Sequence, residues 1–292
     1  MTRTSLAVLA AFFCLSISLA PADARAAGSL PTAWVSATRG ADGAGCGATT
    51  SPCRTFQYVL ENVVATGGSV LILDPGDYGP MVITFPVSII NDGPGNAVLA
   101  GFLKGATVVV SAPGLVTLRG LIIDGARGGS SGVVMTPAGG SLAIEKCKVV
   151  HFTANGSSSA GVLIMGDSPY VTISDSSFSG NSGDGVQVDS SGGNVSIRRS
   201  TAFSNGRHGF SYTGKPFTSA GRSMTIEDSI AWNNSGAGVY ASGGLFTKVT
   251  LVRINATNNY LVDLQNVDAT MRTDGTAFSL TSSGNIYIGP LN

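Results

Sequence analysis

Four stretches of the chain read alike when stacked: VTISDSSFSGNSGDGVQV from Val171, VSIRRSTAFSNGRHGFSY from Val195, MTIEDSIAWNNSGAGVYA from Met224 and VTLVRINATNNYLVDLQN from Val249. In each, an aliphatic anchor (Ile173, Ile197, Ile226, Leu251) stands eight positions before an asparagine (Asn181, Asn205, Asn234, Asn259). The first three also place a glycine (Gly185, Gly209, Gly238) four positions after that asparagine. Successive anchors are 24, 29 and 25 residues apart, the period of one supersecondary unit per turn of a solenoid. A unit that short cannot bury its apolar face alone and must stack on its neighbours.

Within a unit the alternation has period two. Val171, Ile173, Val186 and Val188 are apolar, while Thr172, Ser174 and Gln187 between them are polar, the pattern of strands with one buried face. Strands this short, broken by Gly, Ser, Asn and Asp, pair with their equivalents in the next coil at about 4.8 Å. The expected fold is all-β: a single right-handed parallel β-helix. At about 24 residues per coil, Val70 to about Ile288 would make roughly nine coils and a rod of ~40 Å. The sequence supplies like-on-like columns for it: Ile144, Ile173, Ile197, Ile226 and Leu251; the small residues Cys147, Ser176, Ser200 and Ser229, turning aliphatic at Ile254; and the asparagines. Asparagine amides at a turn can hydrogen-bond the backbone of their own coil and of the coils above and below.

Two residues after each anchor stand Lys146, Asp175, Arg199, Asp228 and Arg253, alternating in sign. A strip that grips a charged chain is one reading. Alternation favours the other, a register device, because unlike charges on adjacent rungs attract and like charges repel.

The N-terminus has a basic start, the apolar run LAVLAAFFCLSISLA and small residues at cleavage spacing. Residues 1–26 therefore read as a secretory signal peptide cut after Ala24 or Ala26, taking Cys14 with it and placing the mature chain outside the cell or in the periplasm. No later stretch is long and apolar enough to span a bilayer. Charge is balanced at 17 basic and 17 acidic residues, so nucleic acid and anionic membrane surfaces are not expected partners. Cys46 and Cys53, in CGATTSPC, are the expected disulfide of an oxidising compartment. Cys147 falls in the small-residue column as a buried free thiol.

Residues 27–69 read as an entry segment and cap. In RTFQYVLENVVAT, Phe56, Val59, Leu60, Val63 and Val64 are spaced as on an amphipathic helix over 54–66, stopped by Gly67-Gly68. Such a helix would cover the open end of the solenoid formed by 70–292.

The helix, the glycine pair, the strand VLILDPG and the DPGDYG turn resemble the opening of pectin lyase-like right-handed β-helix proteins. The later coils resemble the repeat of pectate lyases, polygalacturonases and many exported proteins, over nearly all of the mature chain. That resemblance implies fold more than activity. Polygalacturonases use aspartates from neighbouring coils as general acid and water-activating base. Asn181-Ser182-Gly183-Asp184-Gly185 is similar to their first aspartate motif with one extra residue. Where they carry an Asp pair this chain has Asn205-Gly206-Arg207-His208-Gly209, and no Arg-Ile-Lys triplet follows. Pectate lyases hold Ca²⁺ with acidic side chains on an exposed strand face. The corresponding positions here, Leu163, Gln187, Ser211 and Tyr240, include no carboxylate, so no metal or other cofactor is expected.

One constellation remains. Asp184 and His208 occupy the same repeat position 24 residues apart, and Asp189 matches Thr213 just after the strand. The 29-residue interval adds five residues within TGKPFTSAGR, bringing Lys215, Phe217 and Arg222 beside Leu245 and Phe246, and insertions in solenoids tend to mark the binding face. Asp184 and His208 are the candidate catalytic pair; Asp189, Lys215, Phe217 and Arg222 are the candidate ligand-binding residues. A solvated loop beside turn residues is the plainer alternative. The leading functional reading is an exported protein that binds or weakly processes extracellular polysaccharide. A structural or adhesive surface protein, and a lyase or hydrolase with a nonstandard site, are the other two.

Overall fold

A computed structural model describes residues 28–93, 95–101, 105–125, 128–138, 140–153, 159–166, 169–190, 193–214, 222–243, 247–266, 270–273, 280–282 and 285–288. Residues 1–26, read above as a signal peptide, lie with Cys14 outside the described residues, as do Lys215, Phe217, Leu245 and Phe246.

Three parallel sheets, of eleven, eight and nine strands, run the length of a β-helix. From Val64–Ile72 to Val262–Asn266 the strands come in eight consecutive triplets, one strand for each sheet in constant order. Among the described residues that makes eight three-strand coils, fewer than the nine expected. Beyond them the first sheet adds Thr270–Thr273 and Asn285–Ile288, and the third adds Leu280–Ser282. The first sheet also begins earlier than expected, with Leu30–Val35 pairing Val64–Ile72 inside the segment that reads as an entry.

The helix is shorter than its apolar spacing suggests. It spans Phe56–Asn62, with Thr55 at its N-cap accepting from the Tyr58 amide. Val64 already belongs to a strand that pairs with Leu30–Val35. Both side chains of the β-branched pair Val63-Val64 are buried, and pairing with a neighbouring strand decides the state. Gly67, expected as a helix stop, lies within that strand at φ 80°, where the register against the first strand shifts. Asp74 fastens the end of this layer. It accepts hydrogen bonds from the Ser36 hydroxyl at 2.5 Å, the Thr38 hydroxyl at 2.6 Å, the Ala37 amide at 2.6 Å and the Tyr78 hydroxyl at 2.9 Å. Cys46 and Cys53 form a disulfide with 5.0 Å between Cα atoms.

Inside, the anchor column holds in register from Val70 through Ile89, Leu118, Ile144, Ile173, Ile197, Ile226 and Leu251, all buried. The small-residue column is a ladder of hydroxyls. The amides of Cys147, Ser176 and Ser200 each donate to the serine Oγ one coil on, at 3.1–3.2 Å. Each of those serines donates in turn to a carbonyl of its own coil. Cys147 is free and buried, and burial pushes its thiol up to about 12, which leaves it protonated and unreactive.

The asparagines make a second ladder. Each amide Nδ2 of Asn181, Asn205 and Asn234 donates to the Oδ1 of the next asparagine at 2.9–3.0 Å. The backbone N–H of each residue reaches the same oxygen. Phe152 N–H enters the ladder at one end and the Asp263 carboxylate closes it at the other. The repeated glycines follow from it: a Cβ on Gly209 would stand 2.6 Å from the Gly238 carbonyl oxygen and 3.0 Å from the Asn234 amide nitrogen.

The alternating charges pair as a register device should. Arg199 grips Asp175 through two bonds of 2.8 and 2.9 Å, and Arg253 does the same with Asp228. All five residues of this column lie at φ 44–52°, in the left-handed region. That is the turn conformation Gly120 takes one coil earlier at φ 71°.

Candidate functional site

The structure brings Asp184 and His208 together, but inside the coil wall. Asp184 is 1 % exposed and His208 7 %. Asp184 accepts from the His208 amide at 2.9 Å and from the Ser211 hydroxyl at 2.6 Å, with the Arg207 guanidinium 3.8 Å away. His208 Nδ1 accepts from the Ala237 amide at 2.9 Å, and its ring stacks on Tyr240 with centroids 4.4 Å apart. Both side chains therefore tie three successive coils together. Turn residues of a solenoid can point inward, and these two candidate catalytic side chains replace backbone pairing where the chain bends from the second sheet to the third.

A ring nitrogen that accepts a backbone N–H is unprotonated, so His208 is neutral here. Burial holds its pKa below the usual histidine value, with Arg207 acting the same way and Asp184 opposing them. The unfolded chain then binds the proton more readily, and stability should be complete above ~6.5 and fall as the pH drops below it, by at most about 1.4 kcal/mol per pH unit. Denaturant unfolding between about pH 7.5 and pH 5 measures this. His208→Gln should flatten the decline, and an unchanged slope in that variant would assign it to other groups.

Asp189 is half-buried on the outward face of the third sheet, between Met165 and Thr213. Beside it runs the column Leu163, Gln187, Ser211 and Tyr240. Arg222 opens the strand Arg222–Glu227 of the first sheet; its side chain lies outside the described residues, as do Lys215 and Phe217. Among the described residues no three His, Cys, Asp or Glu side chains converge to hold a metal ion.

A feature not singled out from the sequence lies on the second sheet. Phe203 and Trp232 are paired on adjacent rungs, with ring centroids 5.3 Å apart and planes within 7°. Trp232 is 40 % exposed, as is Ile230 on the same strand, and Tyr260 on the following coil is 84 % exposed. The signal was present in the repeat. Phe203 and Trp232 share the position six residues after the anchor, which Ser179 and Thr257 occupy in the flanking coils.

Residues 106–289 match the family model described as a right handed beta helix region. The chain belongs to this right-handed β-helix family. The crystal structure of pectate lyase Pel9A is similar in fold, with a TM-score of 0.55 and 13% sequence identity over 88% of this chain and 77% of that one. At that identity the likeness is one of β-helix architecture. No curated protein matches the sequence.

Proposed function

We propose that this β-helix protein is exported and binds extracellular polysaccharide through its outer surface. The observation that carries this reading is the stacked, outward-facing aromatic pair Phe203–Trp232, with Trp232 exposed and hydroxyl and amide side chains at the neighbouring turn. An aromatic face with a few polar groups around it suits a sugar ring, which has C–H and O–H surfaces. The apolar leader 1–26 supports export. A polysaccharide ligand also agrees with the pectate lyase of like fold.

Binding is favoured over hydrolysis because the aspartate and histidine that would act as acid and base are buried and hydrogen-bonded within the coil wall. Screening the full mature chain on an array of plant, fungal and bacterial polysaccharides tests the reading, with product analysis on each ligand retained. Retention of at least one polysaccharide without chain cleavage is the expected result. A chain that retains none would instead be a structural or adhesive surface protein, and release of shortened products would move it to the enzymes.

A further inference from the structure

Resting on the polysaccharide reading, we infer that the second-sheet face takes an uncharged polysaccharide, with Trp232 as the stacking platform. The rings of Phe203 and Trp232 continue one another rung on rung, so the ladder of faces points along the rod. The next rung carries Thr257 in the same column. A threonine is too short to cover an indole, and the far face of Trp232 is left open for a flat partner. A sugar ring laid there takes the place of the missing aromatic at the next rung.

The groups around that face carry no charge. Ser204, Asn233 and Asn258 line the turn at its edge, all exposed, with Asn233 Nδ2 donating to Ser204 Oγ at 3.1 Å; Thr257 and Tyr260 lie on the coil above. These side chains donate and accept hydrogen bonds as hydroxyls and amides, the match for neutral sugar hydroxyls. An acidic chain would bring a carboxylate on many of its sugars, and carboxylates are bound by free arginines or lysines. The cations near this face are committed elsewhere. Arg199 and Arg253, at the turns that enter the second-sheet strands, pair with Asp175 and Asp228; Arg207 lies 3.8 Å from Asp184. Lys148 is in the column of Ser177, Thr201 and Ile230, three rungs from Ile230 and roughly 14 Å away at strand spacing. Burying a carboxylate against this face without a cation would be costly.

The chain has two tryptophans, and Trp34 is in the N-terminal strand Leu30–Val35, so fluorescence changes on adding ligand report Trp232. Titrating the full mature chain with a neutral glucan, a galactomannan and polygalacturonate tests the inference. A neutral polymer is expected to shift the emission with an affinity that stays within about twofold between ~50 and ~500 mM salt. Trp232→Ala should weaken that binding at least about tenfold with an unchanged melting temperature, and Trp232→Phe should restore part of it. Stronger binding of polygalacturonate that fades with salt would overturn the neutral assignment while leaving the polysaccharide reading intact. Neutral binding that survives Trp232→Ala would place the site elsewhere and equally overturn it. Failure to bind any polymer would remove the assignment together with the reading it rests on.

Discussion

Asn205→Ala is expected to destabilise the protein by about 3 kcal/mol or more, the largest loss from any single truncation in the turn columns. The Asn205 amide accepts from the backbone N–H and the Nδ2 of Asn181, and donates to Asn234 Oδ1 and the Phe178 carbonyl. The residue is 1 % exposed and sits in mid-ladder. Alanine orphans two donors and a carbonyl in a region without solvent, and each unpaired group costs roughly 1–3 kcal/mol. Asn205→Asp keeps the volume but sets a carboxylate oxygen against the Phe178 carbonyl and Asn234 Oδ1, so it should also be strongly destabilised near neutral pH. Equilibrium unfolding in urea compares the two. An Asp variant close to wild type would show that shape, not donor chemistry, is what the ladder needs.

The second large effect is expected at Asp184. Asp184→Ala should cost about 3 kcal/mol, because the His208 amide and the Ser211 hydroxyl lose a charged acceptor in a buried site. Asp184→Asn should cost only about 1 kcal/mol, since an amide can still accept from His208 N–H and donate to Ser211 Oγ. Neither change should alter glycan binding at the Trp232 face once compared below the unfolding transition. A general acid would behave in the opposite way, with Asp184→Asn folding normally and abolishing turnover. Melting curves and product analysis on the two variants separate these cases.

The inner columns were legible because a solenoid repeats its contacts: equal positions in successive units must meet, so anchors such as Ile173 and Ile197 and the asparagines could be aligned without coordinates. The same logic placed Gln187 against Ser211 and Asp175 against Arg199. The helix end was misjudged because Val63 and Val64 serve a helix face and a strand face alike. The left-handed conformation of Lys146, Asp175, Arg199, Asp228 and Arg253 was also hidden, since only Gly120 in that column advertises it.

Column membership says which residues stack, whereas the direction in which a turn residue points depends on where the chain bends. Asp184 and His208 belong to one column in the sequence, yet only the tertiary structure turns them inward to hold the backbone of neighbouring coils. Phe203 and Trp232 differ from them in a single physical respect: they alternate with buried Ala202 and Ala231 on a strand whose inner face the core has already filled. Repeat period and side-chain chemistry therefore determined the β-helix and its ladders. The inward sense of the turn residues, and with it the burial of Asp184 and His208 in the coil wall, was decided by packing.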